Sequence, residues 1–303
     1  MSIGYPDTMW EFYDRFSTEA ACRQYLVSVR WELGFKCPSC GHGSAWTQGR
    51  GMFRCKKCRK DVSATAGTIF QDSRLPLRTW FQAIWCMVSD KSGASALGLA
   101  NALGLSRTMT SWYLLKRIRS AMVRSGREKL SGLVEVDEVF LGGLKPGKRG
   151  RGAIGKVLIL VAVEDKGEAG LGRVRIEIIS DATAATLKTA IKKMVEPDSK
   201  VRTDEWKGYT ATALEGYEHV IMKRQSLAPG EDPTPLVHRI ASLLKRWLLG
   251  THQGGVRPAH IRSYLDEFIF RFNRRRSKSR GKLFLRLVQE LVQHKPPSGG
   301  VMR

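Results

Sequence analysis

The stretch that most restricts how this chain can fold is Leu133-Val134-Glu135-Val136-Asp137-Glu138-Val139-Phe140-Leu141-Gly142-Gly143. Its β-branched and apolar residues read as a buried strand, yet acidic residues interrupt it and a glycine pair ends it. A carboxylate inside such a strand is costly unless something neutralises it, and a divalent cation is the usual partner. By the two-residue period of a strand, Glu135 and Asp137 share one face and Glu138 takes the other. Spacing alone leaves Glu135 open as a ligand beside Asp137.

Regular elements follow that strand. A flexible basic loop, Leu144 to Gly152, leads to strands at 157–164 and 173–179. A helix at 183–195 stops before Pro197, the short strand Lys200 to Thr203 follows, and a further strand lies near 219–222. Three antiparallel strands, a helix and a parallel strand is the order of a ribonuclease-H-like fold, an α/β architecture. The loop at 145–152, with Lys148 and Arg149, reads equally as a phosphate-holding loop or a solvated hairpin tip.

Asp204 closes the short strand 67 residues after Asp137. If the two strands are neighbours, their carboxylates meet at one point and repel unless Mg²⁺ or Mn²⁺ bridges them. A third polar position comes from a helix with Thr234 as N-cap and Pro235 as first residue. Val237, Ile240, Leu244 and Leu248 form its core side, while His238, Ser242 and Lys245 share the opposite one. A lone helical histidine is usually incidental; the pair of acids is what singles out His238. It is placed to bind a metal or to move a proton, and Lys245, two turns further, to meet a phosphate.

The charge balance names the partner class. Fifty-one Lys and Arg against 28 Asp and Glu leave a net charge of +23, and such an excess calls for a polyanion, with double-stranded DNA the first candidate. Arg246, near the end of the helix that starts at Pro235, and Arg274, Arg275 and Arg276 further on belong to a dense basic surface suited to backbone phosphates. The N-terminus has no secretory pattern, and the longest apolar run, Val157 to Val163, is too short to span a bilayer. The chain is therefore read as cytoplasmic and away from membranes.

Upstream segments read as nucleic-acid apparatus. Two short helices occupy 7–33, with Ser17 to Ala20 capping the second and Cys22 in the core. Cys37-x-x-Cys40 and Cys55-x-x-Cys58, 14 residues apart, predict two knuckles that aim four thiolates at one structural Zn²⁺. His42, beside a filled shell, is a bystander. Between 75 and 123 the pattern is helical, with Pro76 at a first helical position and Cys86 in the core. A helix from Ser92 to Leu103, a turn at Gly104, and a helix capped by Ser106 make a helix-turn-helix candidate. Its second helix carries Arg107, Lys116, Arg117 and Arg119. The expected divisions are 1–70 for helices and zinc ribbon, 71–128 for the helix-turn-helix-like segment, 129–276 for the ribonuclease-H-like domain and 277–303 for a basic C-terminal helix and tail.

Several of these residues also resemble a known family. Thr65-Ala66-Gly67-Thr68-Ile69-Phe70, Leu75 to Phe81, Val136-Asp137-Glu138 with Gly142-Gly143, Ser242 to Arg246, Gly250-Thr251-His252 and Tyr264 to Arg275 are similar to bacterial insertion-sequence transposases. The branch is the DDE-type group called the insertion sequence fifteen-ninety-five family, and the likeness covers roughly 7–276. It implies a ribonuclease-H-like catalytic domain whose first two acids match Asp137 and Asp204, with a lysine matching Lys245. Many members carry Glu or Asn at the third position, where this chain has His238, and a neutral imidazole suits Mn²⁺ better than Mg²⁺. The expected activity is cutting and strand transfer of an insertion sequence by two-metal phosphoryl transfer. The expected partners are terminal inverted repeats and target DNA, met as a homodimer or larger assembly. The rivals are a catalytically inactive DNA-binding regulator and a metal-dependent nuclease without transfer.

Overall fold

The computed structural model describes residues 3–122, 128–142, 156–210, 213–253 and 257–295. The chain divides into two compact units, Met1–Arg124 with Arg276–Arg303, and Ser125–Arg275. The expected segments 1–70, 71–128 and 277–303 thus fall essentially within the first unit, and 129–276 within the second. No helix among the described residues is long and apolar enough to cross a membrane.

The first unit starts with α1 (Met9–Arg15) and α2 (Glu19–Arg30). Thr8 and Thr18 cap them by accepting the Glu11 and Ala21 amides. A three-stranded antiparallel sheet follows, with β1 (Ala45–Gln48), β2 (Met52–Cys55) and β3 (Asp61–Ser63) in sequential order. Then come α3 (Leu77–Ser89), α4 (Ala96–Leu103) and α5 (Thr108–Ser120). The last helix, α9 (Arg280–Gln293), packs against α2 and α3. Its Phe284 is fully buried, with ring centroids 5.6 Å from Phe12, 5.5 Å from Phe16 and 5.6 Å from Phe81. Aromatic edges and faces at these separations add to the area they bury.

Helix starts in this unit differ from the sequence expectations for local reasons. Pro76 occupies the N-cap of α3 rather than its first turn, because the Glu19 carboxylate of α2 accepts the Leu77 and Arg78 amides at 2.9 and 3.1 Å. Ser95, not Ser92, begins α4, its hydroxyl accepting the Gly98 amide. Arg107 takes the N-cap position of α5 in place of Ser106. Gly104 ends α4 in the left-handed region at φ 62°, as a helix C-terminus favours. Cys86, expected in the core, is half-buried, whereas Cys22 is fully enclosed.

The second unit is built on a five-stranded sheet of order β6-β5-β4-β7-β8. Its strands are β4 (Leu133–Leu141), β5 (Val157–Asp165), β6 (Leu171–Ile178), β7 (Lys200–Thr203) and β8 (Glu218–Ile221). The first three pair antiparallel, and β7 and β8 run parallel to β4, the arrangement expected of a ribonuclease-H-like sheet. Helix α6 (Ala184–Met194) is the crossover from β6 to β7. Its Leu187, Ile191 and Met194 pack with Val134, Val136, Leu160 and Ala162 on one face. Helices α7 (Pro235–His252) and α8 (Ile261–Asn273) cover the other, through Val237, Ile240, Leu244, Leu265 and Phe268 against Val139, Val161 and Ile176. Two-sided burial explains the near-continuous apolar run of β5. Edge strand β6 is closed partly by Asn273 of α8, which accepts the Val174 amide at 2.8 Å and donates to its carbonyl at 3.0 Å.

Because Phe284 sits at the meeting point of five other aromatic side chains, Phe284→Ala is expected to lower the unfolding free energy of the first unit by about 3–5 kcal/mol. Urea denaturation followed by tryptophan fluorescence measures this, since Trp85 lies 6.0 Å away.

Candidate active site

The pairing of β4 with β7 sets the site. Leu133, Val134 and Glu135 lie opposite Lys200, Val201 and Arg202, a constant offset of 67 residues. Asp137 and Asp204 are separated by the same interval, so continuing the register puts the two acids side by side at the C-terminal end of β7. The Asp204 charge acts on the Asp137 carboxyl, as neighbouring strand ends allow.

Asp137 points to the α7 face and is largely buried. Its Oδ2 accepts the Thr234 hydroxyl at 2.7 Å and its Oδ1 the Glu138 amide at 2.7 Å. Burial pushes its carboxyl above the ordinary value; the Thr234 hydroxyl opposes this and the negative charge of Asp204 adds to it. Asp204 is half-buried, its Oδ1 accepting the Trp206 amide at 3.0 Å. The preceding Thr203 donates its hydroxyl to the Asp204 carbonyl and lies 2.9 Å from His219 Nε2, which fixes the end of β7.

Glu135 has other work. It is fully buried, with Oε2 at 2.7 Å from Arg202 Nη2 and Oε1 accepting the Val237 amide at 2.7 Å. Arg202 is held as well by Asp165 at 2.8 Å. One carboxylate thus fastens β4 to β7 and to the first turn of α7. Burial pushes its carboxyl up, against the pull of the Val237 amide and Arg202. Each Glu135 oxygen already has a protein partner.

Thr234 stands at the N-cap position with Pro235 next, as the sequence suggests, but its side chain does not cap the helix. Its hydroxyl goes to Asp137, and Glu135 accepts the Val237 amide in its stead. His238 follows on the exposed side of α7. Its Nε2 is 3.4 Å from Asp137 Oδ2, and its Nδ1 is 2.5 Å from Asp232 Oδ2. Asp232 also accepts the Thr234 amide through Oδ1 at 3.0 Å. Sequence reasoning missed Asp232, although an aspartate two residues before a helix cap is a familiar turn signal. It missed Tyr209 too. This buried phenol is pushed well above its usual pKa by burial and by the charges of Glu138, Asp137 and Asp204. Lys245 and Arg246 are exposed on α7.

Among the described residues, a set of at least three ligating side chains drawn within 4.8 Å of one another occurs in the first unit, at Cys37, Cys40, Cys55 and Cys58. Asp137, Asp204 and His238 do not form so tight a set. The sulfurs of Cys37 and Cys58 are 3.7 Å apart, and those of Cys40 and Cys55 3.6 Å. A tetrahedral zinc with 2.3 Å bonds to sulfur requires about 3.8 Å between thiolates. The knuckles repeat one another. The Gly41 amide donates to the Cys37 carbonyl and the Arg59 amide to the Cys55 carbonyl, each from a left-handed residue at φ 73° and 59°. His42 contributes its carbonyl to the Cys37 amide. Burial pushes the Cys55 thiol up, but the Cys58 and Lys57 amides and the neighbouring thiols outweigh it and bring the pKa down to about 6. A thiolate is the form a metal binds.

The basic residues divide. Arg107 is exposed and Lys116 half-buried, its ammonium 5.3 Å from the Trp112 ring. Arg117 and Arg119, which the sequence places on a DNA-facing helix, are buried instead. Arg117 donates to the Ile69 and Gln71 carbonyls, and Arg119 to that of Ala94. Arg274 and Arg275 stack on Phe270 and Phe272 at 4.1 and 4.0 Å, Arg275 also donating to the Leu171 and Gly172 carbonyls. Arg276 is exposed. Lys148 and Arg149 lie outside the described residues.

Glu135→Ala would orphan the Val237 amide and leave a mostly buried arginine with one of its two carboxylate partners, so it is expected to cost about 2–4 kcal/mol of stability in denaturant titration. Cys55→Ser is expected to release the bound zinc and to melt β1–β3, read by metal analysis and by faster proteolysis between residues 37 and 61.

Comparison with known proteins agrees with this architecture. Residues 129–273 match the family model of the ISXO2-like transposase domain, and residues 17–61 that of the transposase zinc-ribbon domain. The chain is also 26% identical over 276 residues to an uncharacterised protein in transposable element ISH50 of Halobacterium salinarum, across 84% of this chain and 91% of that relative. The chain therefore belongs to the family of insertion-sequence transposases that join a zinc ribbon to an ISXO2-like transposase domain.

Proposed function

We propose that this transposase cuts an insertion sequence at its ends and joins the freed strands to target DNA. Asp137, Asp204 and His238 are its reacting centre, and Lys245 a nearby phosphate contact. The observation that supports the proposal is the 67-residue interval that Asp137 and Asp204 share with the β4–β7 pairs, together with His238 Nε2 at 3.4 Å from Asp137 Oδ2. The donor set fits a divalent ion. Two neighbouring carboxylates raise one another's affinity for positive charge, and a nearby imidazole nitrogen completes a mixed oxygen and nitrogen set suited to Mn²⁺ and usable by Mg²⁺. When bound, such ions supply charge stabilisation at the attacking and departing oxygens.

The remaining steps belong to the chain itself. Asp137, anchored by Thr234 and by the strand, presents its carboxylate without moving. Asp204 does so from the end of β7. His238 either ligates or takes the proton of the attacking water. Hydrolysis breaks the bond between phosphorus and the 3′-oxygen at the element's end, leaving a 3′-hydroxyl and a 5′-phosphate. In the second step that 3′-hydroxyl loses its proton and attacks a target phosphodiester, one bond forming as another breaks, so no external energy source is needed. Lys245 and Arg246, exposed on α7, neutralise the backbone near the cut. The zinc ribbon and the α4–α5 pair, with Arg107 and Lys116, hold the terminal repeats, and two copies bring both ends together.

The test is cleavage and strand transfer in Mg²⁺ and in Mn²⁺, with labelled uncut ends and with labelled, pre-cut 3′-hydroxyl ends. Asp137→Ala and Asp204→Ala are expected to reduce joined product by at least about 1000-fold, equivalent to roughly 4 kcal/mol of transition-state stabilisation. Equal product from wild type and Asp137→Ala would reject the catalytic reading in favour of a DNA-holding regulator. Cleaved ends without joining would identify a nuclease.

A further inference from the structure

His238 stands between two carboxylates with different chemical duties. Its Nε2 faces Asp137, whereas its Nδ1 lies 2.5 Å from Asp232 Oδ2. A neutral imidazole carries one N–H and one lone pair, and the hydrogen bond at one nitrogen decides which atom holds the proton. A carboxylate accepts only. Facing Nδ1, it keeps the proton there and leaves the Nε2 lone pair directed at the acids.

We propose that Asp232 is the positioning residue of this site, fixing His238 in the tautomer and rotamer that turn Nε2 into a metal ligand. This rests on the reading of Asp137, Asp204 and His238 given above. Asp232 is itself held in place. Its second oxygen accepts the Thr234 amide at 3.0 Å, and the Thr234 hydroxyl donates to Asp137 Oδ2 at 2.7 Å. A chain of contacts therefore runs from Asp232 through His238 to Asp137, and a second runs from Asp232 through Thr234 to the same Asp137 oxygen. The segment Asp232-Pro233-Thr234-Pro235 has two prolines, so its backbone has little freedom to move Asp232 off the ring. His238 is half-exposed on a helix surface, where an unsupported ring would sample several rotamers. The carboxylate supplies the constraint that packing does not, as partners of ligating histidines do in metal sites.

The choice of substitution follows from the two bonds of Asp232. Asp232→Asn keeps an oxygen for the Thr234 amide, so the turn survives. Its NH₂ then faces Nδ1 and donates, which drives the ring proton to Nε2 and closes the lone pair. Full-length wild type, Asp232→Asn, Asp232→Glu, His238→Ala, Asp232→Asn/His238→Ala and Asp137→Ala would be compared in two measurements. The first is Mn²⁺ binding, followed by the electron paramagnetic resonance of free Mn²⁺. The second is ¹⁵N NMR of histidine-labelled protein that keeps its zinc but has no added Mn²⁺, with the His238 signal identified by its loss in His238→Ala. Zinc content checks that each variant is folded.

Asp232→Asn is expected to weaken Mn²⁺ binding by about 10- to 100-fold, the usual effect of removing such a partner. It is also expected to move the His238 proton from Nδ1 to Nε2, whereas Asp232→Glu restores part of both. The double variant should bind no more weakly than His238→Ala alone. Wild-type Mn²⁺ affinity and an unchanged tautomer in Asp232→Asn, with binding lost in Asp137→Ala, would overturn the role of Asp232 and leave the catalytic reading standing. Unchanged Mn²⁺ binding in Asp137→Ala would overturn both.

Discussion

Everything in the second unit that bears on chemistry depends on one buried ionic contact. Glu135 lies in the central strand with no solvent around it, bound to the Arg202 guanidinium on β7 and to the Val237 amide on α7. Those three elements carry, in turn, Asp137, the approach to Asp204, and His238. A buried charge pair adds little net stability over apolar packing, but it is demanding about geometry. Here the demand fixes the register of β4 against β7 and the docking angle of α7. An apolar substitute would satisfy the energy while leaving both free to slip.

The two units are held together differently. The first joins a three-stranded sheet that carries the four clustered cysteines to a helical core whose aromatic cluster is completed by the distant helix α9. The second encloses a strand sheet between α6 on one face and α7 and α8 on the other, and needs no cross-link. Positive charge is likewise divided. Arg117 and Arg119 are spent on carbonyls inside the first unit, while Arg107, Lys245, Arg246 and Arg276 remain on the surface. Counting basic residues along a helix therefore overstates the charge it offers to a partner.

The parts legible from sequence were those governed by period and spacing. Alternation in Leu133–Leu141 separated Glu138 from Glu135 and Asp137, the cysteine pairs announced their cluster, and helical spacing named the buried side of α7. What escaped notice depends on partners far along the chain. Glu19 caps α3 from 58 residues away, so Pro76 was misplaced by a position. Glu135 has an arginine 67 residues on and an amide 102 residues on, and no local pattern announces either partner. Asp232 was overlooked because it precedes the helix it serves. Tyr209 was overlooked because a tyrosine in a loop gives no hint that folding will bury it among acids.

Thr234 holds a further consequence. A threonine at the start of a helix ordinarily closes the first turn by itself, so that the helix can begin to form as an isolated segment. This one gives its hydroxyl to Asp137, and the first turn of α7 takes its acceptor from a strand about a hundred residues earlier. Helix and sheet therefore depend on one another, and a chain emerging from synthesis cannot bring His238 up to Asp137 until α7 has docked on β4.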